Sequence, residues 1–231
     1  MFNTKFLQTS TLLSATLCAS TAFAFSLADL SNRDATNGLK AALEKGSVAA
    51  VAKLGIENGF LQNDKVKIEL PDILQQVQPL LQMTGRGAQL DELVLSMNRA
   101  AEKAIPLAKP LLLNAVKSMT VTDAKNILSG GDTSVTDFFR QKTSGPLAVK
   151  FLPIVKSITD RSGLAAQYNT TVSQVAKFNI VPEQQSTVET YVTQRALDGL
   201  FFMIGEEEKA IRRDPIGTGS KIIGKVFGSM Q

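Results

Sequence analysis

The chain has 231 residues, 25 basic against 21 acidic, for a formal charge of +4; 44% are apolar and 20% charged. That length and balance support a globular core in one domain of ordinary size or two small ones. There is no histidine, no tryptophan and one cysteine, Cys18, which excludes histidine-dependent triads, histidine metal sites, thiolate clusters, disulfides and zinc fingers.

The first segment reads as an address. Lys5 is the only charge before Asp29, and Phe6 to Ala24 is mostly leucine, alanine, serine and threonine. Ala22-Phe23-Ala24 is a small-x-small cleavage site, so residues 1–24 are expected to be a cleaved secretory signal peptide. Eight polar residues in that stretch make it a poor spanning helix. Leu17 before Cys18 is too large for a lipidation motif. The remainder, 25–231, is expected to be a single domain in a bacterial periplasm, with no transmembrane segment after cleavage. Its basic charge gathers at the end: Lys209, Arg212, Arg213, Lys221 and Lys225 against Asp214. Aromatic residues are not interleaved there, so no nucleic-acid partner is expected.

Apolar residues then recur at helical spacing along most of the chain. A helix over 35–54 is expected to be interrupted at Gly46, with Ser47 capping its second piece. Gly55 and Asn58-Gly59 mark turns. Val66, Ile68 and Leu70 alternate with Lys65, Lys67 and Glu69 up to Pro71, which predicts a short extended arm, either one strand of a hairpin or unpaired. A helix follows from Pro71-Asp72 to the Gly85-Arg86-Gly87 turn. Small residues on the wide apolar face from about Leu90 to Ile105 predict a closely packed central helix, restarted near Pro106 and Pro110. Short helices are predicted from Thr122-Asp123, from Ser134 and from Ser144-Gly145-Pro146, then one over 164–178. The longest is predicted over 187–213, and Ile222, Ile223, Val226 and Phe227 form a last amphipathic turn or two. The predicted architecture is all-α: one compact domain of about eight to ten helices with one short extended arm.

Polar residues placed among these apolar faces are the candidates for a polar core or pocket. Asn98, Arg99 and Glu102 share one face of the predicted central helix. They either line a pocket or hold neighbouring helices together. Asp123 stands at the start of its short helix. Tyr191, Arg195 and Asp198 share a face of the long helix, where Gly199 implies close packing or room for a ligand. Glu206, Glu207 and Glu208 follow; with Glu207 three after Ile204 and four before Ile211, one carboxylate of the three is expected on or beside the buried stripe, with Arg99, Arg195 or Arg212 as its partner. Ser129-Gly130-Gly131-Asp132 lacks the G-K-[ST] of a phosphate loop and reads as helix punctuation. No S-x-x-K, G-x-S-x-G or calcium loop occurs. No cofactor or metal site is expected.

Several of these stretches, in this order, resemble a known family: Gly59-Phe60-Leu61, Leu70-Pro71, Met97 to Glu102, Asp123-Ala124, Ile127-Leu128, Gly130-Gly131, Tyr191-Val192-Thr193, Ala196 to Phe201, Glu206-Glu207, Ile211-Arg212 and Pro215. The chain is similar, over about Leu39 to Gly228, to the domain-of-unknown-function family numbered 4197. That resemblance implies helical proteins exported in Gram-negative bacteria, with no activity to carry over.

Three functions are expected from the residues, the third being a structural interaction module with no ligand. One is a non-enzymatic, envelope-associated protein that binds an apolar or amphipathic envelope lipid, or a protein partner, with Phe138, Phe139, Phe201 and Phe202 as walls of a cavity or as plain core. The alternative is a carboxylate-only hydrolase acting on a cell-envelope glycan or ester through Glu102, Asp198 and Glu207.

Overall fold

A computed structural model describes residues 32–131, 133–175 and 182–214. The leader, Cys18, the last turns of the predicted 164–178 helix and the amphipathic end at Ile222 to Phe227 lie outside them. The described residues are all-α. Their helices are α1 (Asn32–Leu54), α2 (Asp72–Met83), α3 (Gly87–Ala104), α4 (Ala108–Lys117), α5 (Val121–Ser129), α6 (Ser134–Thr159), α7 (Gly163–Val175) and α8 (Val188–Arg213). None is long and apolar enough to cross a membrane.

The helices are fewer than the segments read from the sequence, because two predicted breaks do not break. α1 runs through Gly46. α6 runs through Gly145-Pro146. Pro146 deletes one backbone hydrogen bond, but the helix carries a row of buried side chains four apart: Val135, Phe139, Thr143, Leu147, Phe151, Val155 and Thr159. Such a row is a packing ridge, and burying it outweighs one lost bond. Around the proline, the Thr143 hydroxyl donates to the Phe139 carbonyl at 2.6 Å and Ser144 to Arg140 at 2.5 Å. At Pro106 the chain does restart, through a 3₁₀ turn at Ile105–Leu107.

The core lies where α3, α6 and α8 pack on one another, with α1 and α4 closing the far side. α3 is the central helix its small residues predict: Leu93, Met97, Ala100, Ala101 and Ala104 are fully buried. Between α1 and α2, residues 55–71 cross this body as the arm. Val66, Ile68 and Leu70 are buried while Lys65 and Glu69 stay in water. The arm pairs with no strand among the described residues. The Asn98 side chain takes the place of a strand partner. Its Oδ1 accepts the Ile68 N–H at 2.9 Å, and its Nδ2 donates to the Ile68 carbonyl at 2.8 Å.

The phenylalanines pack the interior. Phe138 and Phe139 meet edge to face, ring centres 5.5 Å apart, and Phe139 and Phe201 are buried. Beside Glu208, where α1, α6 and α8 meet, a small pocket measures about 10 Å³, no more than one water needs. Of the phenylalanines expected to wall a cavity, Phe138 and Phe139 are core, whereas Phe201 and Phe202 line a groove between the arm, α6 and α8; Phe202 alone of the four is exposed.

Candidate ligand groove and the arm that borders it

Two of the sequence candidates clamp the arm. Glu102, 5% exposed, lies under the Asn58-Gly59 turn. Its Oε1 accepts the N–H groups of Phe60 at 3.0 Å and Leu61 at 3.1 Å, and its Oε2 meets Arg99 at 2.6 Å. Arg99 reaches on to Asn58 Oδ1 at 2.9 Å and Glu57 at 3.2 Å. Asn58 has φ +68°, in the left-handed region that asparagine tolerates. The polar face of α3 thus fastens a loop rather than a neighbouring helix, and Arg99 and Glu102 also line an open pocket beside that loop.

Asp123 belongs to neither clamp nor groove. It closes a capping box at the start of α5: its Oδ2 accepts the Thr120 N–H at 2.9 Å, and the Thr120 hydroxyl accepts the Asp123 N–H at 3.0 Å. The Thr120 backbone N–H holds the Asp123 carboxyl below its ordinary value.

In the glutamate triplet the one carboxylate expected on the buried stripe is Glu208, not Glu207, and Arg212 holds it through Nε at 3.0 Å and a second guanidinium nitrogen at 2.8 Å. Glu207 instead meets Lys53 of α1 at 2.5 Å. Positions 207 and 208 flank the Ile204–Ile211 stripe on opposite edges. The packing of α1 decides which edge is covered.

The remaining candidates, Tyr191, Arg195, Asp198 and Glu206, come together along one groove of about 580 Å³. Its floor and one wall are a stripe on α8, where Tyr191, Arg195, Asp198, Phe202, Glu206 and Lys209 follow at three- and four-residue steps. The arm forms the second wall with Lys65, Val66, Lys67 and Glu69; the start of α6 forms the third with Thr133, Thr136 and Arg140. The arm lies this close because Gly199 has no side chain. A Cβ there would stand 2.8 Å from a Phe60 ring carbon and 3.3 Å from Val66 Cβ. Gly205 likewise admits Thr136 of α6. The Tyr191 hydroxyl fixes the arm from below, donating to the Glu69 carbonyl at 3.0 Å. Burial pushes the Tyr191 phenol above its ordinary value, against the nearby Arg195, so it stays a donor at neutral pH.

Five cations and three carboxylates border the groove, a net charge of +2. Three of those cations lie over aromatic rings: Arg195 over Tyr191 at 5.2 Å from the ring centre, Arg140 over Phe201 at 5.4 Å and Lys65 over Phe202 at 5.9 Å. Glu206 bridges Lys65 at 2.9 Å and Lys209 at 3.2 Å. Those two hydrogen bonds hold its carboxyl below the usual range. Lys67 pairs with Glu69 at 3.1 Å. Asp198 accepts from Gln194 at 3.1 Å and stands 4.0 Å from Arg140. Arg195 makes no ion pair among the described residues. No group of three or more acidic or cysteine side chains able to hold a metal ion occurs among them.

Lys65, Lys67, Arg140 and Lys209 are not among the sequence candidates for this site, and Phe202 is expected there only as a cavity wall. The lysines had a signal, since alternation in the arm puts 65 and 67 on the solvent side. So had Phe202 and Lys209, which continue the Tyr191–Arg195–Asp198 face. Arg140 had none, because only the fold brings α6 to α8.

Comparison with known proteins gives one match. Residues 29–228 match the family model DUF4197, described as protein of unknown function. No curated protein and no solved structure matches the chain.

Proposed function

The chain belongs to the DUF4197 family, a family of proteins of unknown function, and from that premise we propose that it is an exported, periplasmic, non-enzymatic binding protein whose ligand sits in the groove between the arm, α6 and α8. The observation that carries this reading is the groove's excess of positive charge with its arginines laid on aromatic rings. Stacking limits the freedom of a guanidinium while leaving its edge exposed, so less entropy is lost when an anion docks. A volume of about 580 Å³ lies within the range of small-molecule sites. The ligand class is one with negative charge beside apolar surface, from an envelope component or a protein partner. Export rests on the leader pattern of residues 1–24.

The carboxylates support binding over turnover. Glu102 is committed to two arm amides and Arg99, and Glu207 to Lys53. Asp198 and Glu206 share the groove with about 12 Å of helix between their backbones, and Glu206 is bridged by Lys65 and Lys209. Glu206, with its pKa lowered, is poorly suited to donate a proton.

Purification of the protein from the periplasm, followed by native mass spectrometry, tests the reading. A mature chain beginning at Phe25 with a dissociable adduct, lost in the R140Q/R195Q double variant, is the expected result. A cytoplasmic, unprocessed chain would sink the export half. A bare chain that no envelope extract loads would sink the binding half.

A further inference from the structure

Phe202 is the one large apolar side chain that the groove leaves open, at 41% exposure. It lies seven residues past Arg195 on the same face of α8, about 10 Å along the axis. Toward the start of α8 from Phe202 come Arg140, over Phe201 and 4.0 Å from Asp198, and Arg195, over Tyr191. The groove therefore has its arginines toward the start of α8 and, next to them, the apolar surface of Val66 and Phe202, which the Lys65 ammonium overhangs at 5.9 Å from the ring centre.

We propose that Arg140 and Arg195 form the head subsite for a phosphate monoester on a single-chain amphiphile, whose hydrocarbon chain lies over Phe202. The inference rests on the reading of the groove as a binding site and specifies its ligand. A phosphate monoester carries close to two negative charges at neutral pH, which matches the +2 of the groove. Two guanidinium edges offer the paired donors that phosphate oxygens accept. Asp198 would repel the anion if it faced it alone. Its hydrogen bond to Gln194 and its proximity to Arg140 make it a positioning residue for that arginine. Thr133 and Thr136 on the α6 wall add hydroxyl donors. Lys65 and Lys209 share Glu206 and Arg140 stands by Asp198, so each end keeps one unit of the net charge; the arginine end is chosen because two guanidiniums present paired donors. The chemistry is shared by a lipid headgroup and by a soluble phosphate ester, and the groove fits a single extracted molecule of either.

Isothermal titration of the processed chain against octyl phosphate, octyl glucoside and inorganic phosphate, all as monomers, tests the proposal. Octyl phosphate is expected to bind at least tenfold more tightly than either of the others. R140Q/R195Q is expected to remove that tenfold, and F202A to reduce octyl phosphate to the affinity of inorganic phosphate, with thermal melting confirming that both variants fold. Equal affinity for octyl phosphate and inorganic phosphate would overturn the amphiphile, and an unchanged affinity in R140Q/R195Q would overturn the subsite. Sedimentation with phosphatidylglycerol vesicles separates the sources: retention on vesicles with no binding of monomeric octyl phosphate would replace the proposal with a membrane surface site. If no probe binds while the periplasmic adduct persists and depends on the groove, this inference fails and the binding reading stands. If both are absent, both fail.

Discussion

The Asn98 side chain closes both backbone hydrogen bonds of Ile68, one through each end of its carboxamide, at 2.9 and 2.8 Å. Its Nδ2 also donates to the Val94 carbonyl at 2.8 Å. One fully buried side chain therefore does for the arm what a neighbouring strand does in a sheet. The arm in turn supplies a wall of the groove, so this pair links the packing of α3 to the site.

Replacing Asn98 by alanine leaves the Ile68 N–H and C=O buried without partners. An unsatisfied buried group costs about 1–3 kcal/mol, so N98A should destabilise the fold by roughly 2–4 kcal/mol. Chemical denaturation measures the loss, and hydrogen exchange at the Ile68 amide shows whether the arm has loosened. A variant as stable as the parent, with Ile68 still protected, would contradict the account.

Glu102 makes a graded test of the second clamp. E102Q keeps an oxygen for the Phe60 and Leu61 amides but sets an NH2 against Arg99, giving up that charge and its hydrogen bond. E102A abandons all three contacts. The expected losses are about 1 kcal/mol for glutamine and roughly 2–4 kcal/mol for alanine. Equal losses in the two variants would mean that the ion pair, and not the amide contacts, holds the turn.

Three glycines in helices should answer differently to alanine. At Gly46 the nearest atoms to a new Cβ are Glu207 Cβ at 3.5 Å and an Ile211 methyl at 3.8 Å, ordinary contact distances. G46A should therefore gain the helix propensity, about 0.5–1 kcal/mol. At Gly199 the same methyl meets the buried Phe60 ring at 2.8 Å. Overpacking costs about 1–3 kcal/mol, so G199A should lose about 1 kcal/mol net. Gly205 lies between, because the Thr136 hydroxyl at 3.0 Å can rotate away. Melting temperatures ordered G46A above G205A above G199A are the expected result; a stabilised G199A would show that the arm does not pack where the geometry has it.

The Glu206 bridge should be visible in acid. Its folded pKa is depressed by Lys65 and Lys209. Its stabilising contribution is therefore complete above the ordinary value of 4.5 and disappears as pH falls through the lower folded value. The stability difference between parent and E206Q should be constant from pH 7 down to about 5, then shrink toward zero. Denaturation midpoints across that range measure it. A difference that widens in acid would reverse the sign and refute the bridge.

Much of the fold was legible because it follows from local periodicity. α8 was read almost residue for residue, since its apolar stripe from Val188 to Ile211 is long and starts at a side-chain cap, Thr187. α3 was read as central from its alanines. Gly46 and Gly145-Pro146 do not break their helices, because burial at a distance outvotes local propensity: α8 behind Gly46, and the Val135–Thr159 ridge across Pro146. The site was half legible. Tyr191, Arg195 and Asp198 share a face that spacing alone shows, whereas Arg140 joins them only because α6 packs on α8.

The sequence by itself determined the helices, their buried faces and the chemistries that are missing, because residue type and period act locally and need no partner. Tertiary packing decided which glutamate is buried, where the arm lies and which cations surround one groove. Those outcomes depend on distances between segments more than forty residues apart in the chain, such as Phe60 and Glu102 or Lys65 and Glu206, and no local pattern encodes them.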